Sequence, residues 1–373
     1  MSTPQATLYG EQTRLTVANM SFSGRRLADF PEFVRAAAQV KEAATAANLG
    51  AGLLDAGTAA RISSACRSLQ ADEHLDQFPV DVFHGGGGIG LNMNLNEVIA
   101  TLAGPDVDPA DHVNLSQSTN DACHTATRVA VYRAVGEFLD AIAALNGELR
   151  AVARRMDGVD TIARTCLQDG LPVAAGVLHT ALASALERQA ARLRTTADDL
   201  LQVTLGGTVI GSGAGADVRY RETVVGLLAG VTGLPLTPAP DLYDATQYPD
   251  DLARLSAGVA AISHTLAKYA ADLRLLSSGP ECGFGELSLP ATQAGSSFFP
   301  GKVNPVIPET VIACDLLVTG NDVVVQRCLG LGEGHLNLWD STMGFLLLEN
   351  LRMLPSAVPL FTSRCAAGIQ PSP

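Results

Sequence analysis

The sequence predicts a mainly α protein: a long-helix bundle with a smaller N-terminal helical domain. Three observations carry this reading. Apolar residues recur in three-four spacing over many turns, alanine is abundant beside them so that helices can approach closely, and strand signals are few.

Taken in order, the first part of the chain is the less regular. An Ala-rich helix opens at Pro31, where proline suits a first helical turn, a second runs near Ala56 to Leu69, and a glycine-rich stretch follows. The segment GPDVDPAD (Gly104 to Asp111) is rich in Pro, Gly and Asp and marks a boundary, giving an N-terminal domain over 1–110 and a helix bundle over 111–373. In the second part, Val131, Val135, Phe138, Ile142, Leu145, Leu149 and Val152 form one stripe. Leu178, Leu182, Leu186, Leu193 and Leu200 suggest another. Leu252, Leu255, Val259, Ile262, Leu266, Tyr269, Leu273 and Leu276 form the most regular of the three. Further helices are expected from Glu309 to Val325 and from Met343 to Leu354. Stripes on more than one face suit burial against other copies of the chain as well as intramolecular core, and periodicity does not separate the two.

At 373 residues the chain can bury a substantial core without disulfides or metals. A formal charge of −13 with no basic run argues against nucleic-acid binding. Seven cysteines without a CxxC pair favour reduced thiols, and the histidines lack metal-ligand spacing such as HExxH, so no metal is expected. The polar start MSTPQATLYGEQ lacks a signal-peptide pattern, and the apolar stretch after Met343 is broken by Glu349 and Arg352. A cytoplasmic protein without a membrane partner is the resulting expectation.

Polar chemistry concentrates in a few places. The connection SSGPECGFGELSLPATQAGSSFFPGKVNP offers hydroxyls at Ser296 and Ser297, a cation at Lys302 and an amide at Asn304, with Gly295 and Gly301 as flexible points. Lys302 is one of only three lysines, with Lys41 and Lys268, in a chain that otherwise uses arginine. In DHVNLSQSTNDACHTATRVA, Ser118, Thr119 and Asn120 precede a long helix, where hydroxyls, amides and free N–H groups converge on a carboxylate or simply cap the helix. In IARTCLQDGLP, Thr165, Cys166 and Gln168 are read in the same way, ahead of a helix opening after Pro172. HGGGGIGLNMNLNE lacks the GK[ST] ending of a phosphate loop, and no GxSxG elbow is present.

Together these blocks resemble the aspartase/fumarase superfamily. GSSFFPGKVNPVIPE (Gly295 to Glu309) is similar to the signature GSSxMPxKxNPxxxE. HVNLSQSTNDACHTA, GGGGIGLNMNLNEVIA and RTCLQDGLP resemble three further family blocks, and the flanking sequence is closer to aspartate ammonia-lyases than to fumarate hydratases. The resemblance implies a homotetramer with active sites shared between subunits, no cofactor, and anti elimination from a succinate-type dicarboxylate to fumarate. L-aspartate losing ammonia is the leading case. The alternatives are another 2-substituted succinate, such as nitrosuccinate or an N-substituted aspartate, and a non-catalytic homologue. It further implies Ser296 as general base, activated by loop N–H groups and Lys302. Ser118, Thr119 and Ser297 would hold the carboxylate that becomes an enediolate. Thr165, Lys302 and Asn304 would hold the other carboxylate, and Asn120 would face the amino group.

Two residues depart from the family pattern near the leaving group: Ile89, where relatives usually carry Thr, and Cys166, where they often carry His or Gln. The chain stops at CAAGIQPSP, where relatives continue into a small third helical domain, so the expectation is a chain lacking that domain.

Overall fold

The computed structural model describes residues 7–372, and the polar start Met1–Ala6 used in the signal-peptide argument lies outside it. The order is α1 (Glu11–Met20), α2 (Pro31–Gly50), α3 (Ala56–Gln70), α4 (Ile89–Ala103), α5 (Thr119–Arg155), β1 (Asp160–Thr165), β2 (Gln168–Ala174), α6 (Val177–Asp198), β3 (Gln202–Val203), α7 (Val218–Thr232), β4 (Thr237–Pro238), α8 (Leu242–Gln247), α9 (Asp250–Leu276), β5 (Leu287–Ser288), α10 (Val306–Leu329), α11 (Asp340–Arg364) and β6 (Gln370–Pro371). Helix dominates, as the sequence predicts. Among the described residues the six strands pair only in twos: β1 with β2 and β5 with β6 antiparallel, β3 with β4 parallel.

Two compact units emerge from interleaved stretches. One comprises Met1–Arg133, Ala197–Ala253 and Val324–Leu348, and the other Ala134–Thr196, Arg254–Val323 and Glu349–Pro373.

In the first unit, α2 packs on α3 and α7 through buried Val34, Ala38, Val40, Ala44 and Ala47, the small side chains allowing close approach. Phe345 wedges edge-on against Phe30 at 4.9 Å and lies 5.0 Å from Phe33. The capping residues are acidic: Asp55, Asp217 and Asp241 each accept backbone N–H bonds at the starts of α3, α7 and α8. Glu97 of α4 does this at a distance. Its carboxylate accepts from Gly10 N (2.8 Å), Gln12 N (2.9 Å), Thr13 N (3.1 Å) and Thr13 Oγ1 (2.6 Å), which fixes the free N–H groups of α1 onto α4.

The strongest polar feature of this unit is Arg128 on α5, 1% exposed. Its Nε and Nη2 donate to Asp251 at 2.7 and 2.9 Å, and its Nη1 donates to both oxygens of Asp340 at 3.2 and 3.1 Å. One planar fork on the third turn of α5 therefore holds the first turns of α9 and α11 together.

The stripes predicted along α5, α6 and α9 are buried as their spacing requires, most of them in the second unit, except Leu178 and Leu276, which are half-buried near helix ends. His179 of α6 lies among them. Its Nε2 faces Met156 Sδ at 3.2 Å, and because a thioether only accepts, the proton sits on Nε2 and the Tyr269 hydroxyl donates to Nδ1 at 2.6 Å. Tyr269 in turn packs edge-on against Phe361 at 6.1 Å.

The structure corrects the sequence reading at three places. Thr165, Cys166 and Gln168 do not stand at the N-terminus of the helix that opens after Pro172. They close a β-hairpin in which Thr165 pairs with Gln168, Pro172 lies in β2, and α6 opens only at Val177. Cys166 and Leu167 form its two-residue turn at φ +52° and +60°, and Gly170 is required because a Cβ there would stand 2.7 Å from Ala163 O. Helix α11 continues past Leu354 to Arg364 through Pro355 and Pro359, and α10 is longer than Glu309 to Val325 at both ends. The glycine-rich stretch holds a helix, α4, immediately after three left-handed glycines.

Replacing Arg128 by methionine should leave the buried Asp340 and the half-buried Asp251 without their cation and destabilise the protein by about 3–5 kcal/mol in chemical denaturation. Unchanged stability would show that the fork contributes nothing. Burial also holds the His179 imidazole down to about 4, aided by Arg155. The folded state thus resists protonation that the unfolded chain accepts, so this contribution is complete above the unfolded value near 6.5 and is lost as pH falls from there towards 4. His179→Phe should flatten the denaturation midpoint over that window, and an identical pH slope in the two proteins would contradict the assignment.

Candidate functional site

The residues singled out in the sequence fall into two groups, one in each unit. In the first, Ile89, Ser118, Thr119 and Asn120 line one cavity of about 410 Å³, together with Gly86, Gly87, Cys123, His124, Val209, Leu336, Leu338, Asp340 and Ser341. Local structure places each of them. Gly86, Gly87 and Gly88 at φ +92°, +61° and +86° turn the chain sharply into α4, so Ile89 stands at its first position, 45% exposed. A side chain at Gly87 would meet Leu338 Cδ2 at 3.0 Å, so glycine also permits this wall to form.

Ser118 begins α5 as a capping pair with Asp121. Asn120 N donates to Ser118 Oγ at 3.2 Å, and Ser118 N donates to Asp121 Oδ1 at 2.8 Å. Capping and lining of the cavity are therefore combined in one residue. Asp121 does more: its second oxygen accepts from Gly206 N (3.1 Å) and Thr208 N (3.0 Å), holding the segment whose Val209 carbonyl accepts from Asn120 Nδ2 at 2.9 Å. Burial pushes the Asp121 carboxyl up to about 6 despite these donors. Thr119 Oγ1 accepts from Asn92 Nδ2 at 3.2 Å, and Asn92 also donates to Asn114 Oδ1, which takes a further bond from the buried Lys41 ammonium at 2.9 Å. Burial brings Lys41 down to about 8.

Sequence reasoning missed the floor of this cavity. His124 Nε2 donates to Ala245 O at 3.1 Å, Thr204 Oγ1 donates to Nδ1 at 3.0 Å, and burial keeps the ring neutral. Asp340 lies 3.8 Å from His124 Nε2 and is committed to Arg128; burial raises its carboxyl more than that guanidinium lowers it. The only signal was a polar HLNLWDST stretch before α11, indistinguishable in sequence from an ordinary helix cap.

In the second unit, Ser296, Ser297, Lys302 and Asn304 sit on a compact turn before α10. Gly295 N donates to Lys302 O at 2.7 Å and Asn304 Nδ2 donates to Gly295 O at 2.8 Å. A Cβ on Gly295 would stand 2.5 Å from Asn304 N, so glycine is obligatory for this closure. Within the turn the backbone N–H groups of Phe298 and Phe299 donate to Ser296 Oγ at 3.0 and 2.8 Å. The exposed Lys302 holds its ammonium 5.9 Å from the Phe299 ring centre. Thr165 and Cys166 lie at the hairpin end, whose Arg164 pairs with Glu286 and stacks 4.6 Å over Phe284. Among the described residues no three His, Cys, Asp or Glu side chains converge as metal ligands, and no helix is long and apolar enough to cross a membrane.

Comparison with known proteins identifies the family. The family described as Lyase matches residues 1–320. Aspartate ammonia-lyase of Corynebacterium glutamicum is 38% identical over 98% of this chain and 72% of its own length, and that of Escherichia coli is 37% identical over 98% and 79%. Among solved structures, the fumarate lyase:delta crystallin of Brucella melitensis bound to cobalt superposes with a TM-score of 0.95 at 38% identity, covering 99% of this chain and 82% of that one. A class II fumarase of Schistosoma mansoni gives a TM-score of 0.95 at 27% identity, with the same coverage. Likeness of this extent, in sequence and in fold alike, shows that the chain belongs to the aspartase/fumarase superfamily of lyases.

Proposed function

We propose that the protein eliminates an amine from a 2-aminosuccinate, with L-aspartate giving fumarate and ammonia as the simplest case, and that Ser296 is the general base. The observation that carries this reading is the pair of backbone donors on Ser296 Oγ. A hydroxyl is a poor base until its alkoxide is stabilised, and two N–H groups at 2.8 and 3.0 Å favour the charged form, with the Lys302 side chain rising from the same turn. The alkoxide takes a proton from the carbon beside one carboxylate. An enediolate forms, and the amine then leaves from the neighbouring carbon with the C–N electron pair. Electrons balance within the substrate, so the reaction requires no cofactor.

By resemblance, Ser118, Thr119 and Ser297 hold the enediolate carboxylate, Thr165, Lys302 and Asn304 the other, and Asn120 faces the amine, with Ile89 and Cys166 beside the leaving group. The two groups belong to different units, and sharing of sites within a homotetramer would unite them. Leu316, Leu317 and Val323 on α10, 68%, 60% and 64% exposed, favour such assembly, since a long helix seldom leaves so much hydrocarbon in water. A cytoplasmic location and an N-terminal lyase domain over 1–110 complete the proposal. Ile89 favours a second reading, the same elimination with a different leaving group, because an alkyl side chain cannot hydrogen-bond an ammonium.

Ser296→Ala should lower kcat on the order of 10²- to 10⁴-fold, as removal of a general base does, with KM and the oligomeric mass little changed. Full activity in that variant would overturn the role of Ser296, and a wild-type protein that releases fumarate from no 2-substituted succinate would favour a non-catalytic homologue.

A further inference from the structure

The cavity beneath Ser118, Thr119 and Asn120 has an unequal lining. On one side stand these three polar residues, at the start of α5. The lining also holds the hydrocarbon of Ile89, Leu336, Leu338 and Val209, with the polar Asn337 and Ser341 among them. Ile89, Leu338 and Val209 are 45%, 39% and 54% exposed, so hydrocarbon faces solvent at the mouth of a polar site. The one carboxylate in the lining, Asp340, accepts from Arg128 Nη1 with both of its oxygens, and both nitrogens of His124 are already bonded to Ala245 and Thr204. The two titratable polar groups of the lining, His124 and Asp340, are thus committed elsewhere, whereas the hydrocarbon of Ile89, Leu336 and Leu338 gains by covering carbon. The volume of about 410 Å³ falls in the range of pockets that enclose whole small molecules.

We infer that the preferred substrates are N-alkylated aspartates, whose hydrocarbon lies against Ile89, Leu336 and Leu338 while the succinate part is held by the polar side. The inference rests on the elimination proposed above and names its leaving group. Chemically the step is unchanged. The C3 proton passes to the Ser296 alkoxide, the C–N bond breaks with its electron pair on nitrogen, the carbon–carbon double bond forms, and the protonated secondary amine departs as a neutral primary amine that then takes up the proton.

The test compares N-butyl-L-aspartate with L-aspartate in the purified wild-type protein, following fumarate by its ultraviolet absorbance. Covering three or four methylene groups should favour the butyl substrate by about 10- to 100-fold in kcat/KM. Ile89→Thr, which places a hydroxyl on the apolar wall, should shift that ratio towards L-aspartate by about 10-fold or more. Leu338→Ala, at a half-exposed position, provides a second variant and should reduce the preference without reversing it. A wild-type preference for L-aspartate, or a ratio unmoved in both variants, overturns the inference and leaves the elimination standing. Absence of fumarate from both substrates overturns the elimination itself, and the inference with it.

Discussion

The first unit depends on one buried guanidinium. Arg128 is the cation that pairs with Asp251 and the buried Asp340 at the starts of α9 and α11, and in return those carboxylates fix two helix beginnings against the third turn of α5. Removing one partner of such a set leaves a charge in a medium that cannot solvate it, so the geometry is enforced by the cost of every alternative. Because Asp340 also floors the cavity, the fork that organises the packing organises the shape of the candidate site.

The same economy recurs around it. Ser118 caps α5 and lines the cavity; Asp121 closes that cap and holds the 206–208 turn; Glu97 caps α1 from α4. In each case a backbone demand, the unbonded N–H groups of a helix start or a turn, is met by a side chain that simultaneously fixes a second segment. The Ser296 turn repeats the relation. There the backbone N–H groups of Phe298 and Phe299 donate to Ser296 Oγ, and under the proposed role as base the same two donors would stabilise its alkoxide.

How much of this was legible follows from range. Helical stripes such as Leu252 to Leu276 were plain because burial repeats every three or four residues, and that local regularity also carried the fold class. Signature blocks made the family recognisable and picked out Ile89, Ser118, Thr119 and Asn120, which the fold brings to one cavity. The hairpin at Cys166 was hidden because its turn uses Cys and Leu at left-handed φ instead of the Asn and Gly that announce such turns. The Arg128 fork was invisible for another reason: its partners lie 123 and 212 residues away, and no local pattern encodes a pairing at that separation. His124, fixed by Thr204 and Ala245, escaped notice in the same way.

The central claim, base-assisted anti elimination from a 2-aminosuccinate, is tested most directly with L-aspartate carrying deuterium at one C3 position at a time, the fumarate being read by mass spectrometry. A single base on one face predicts that deuterium is lost wholly from one position and kept wholly in the other, with loss from the position anti to the amine. Equal loss from both positions, or loss from the syn position, would contradict the account.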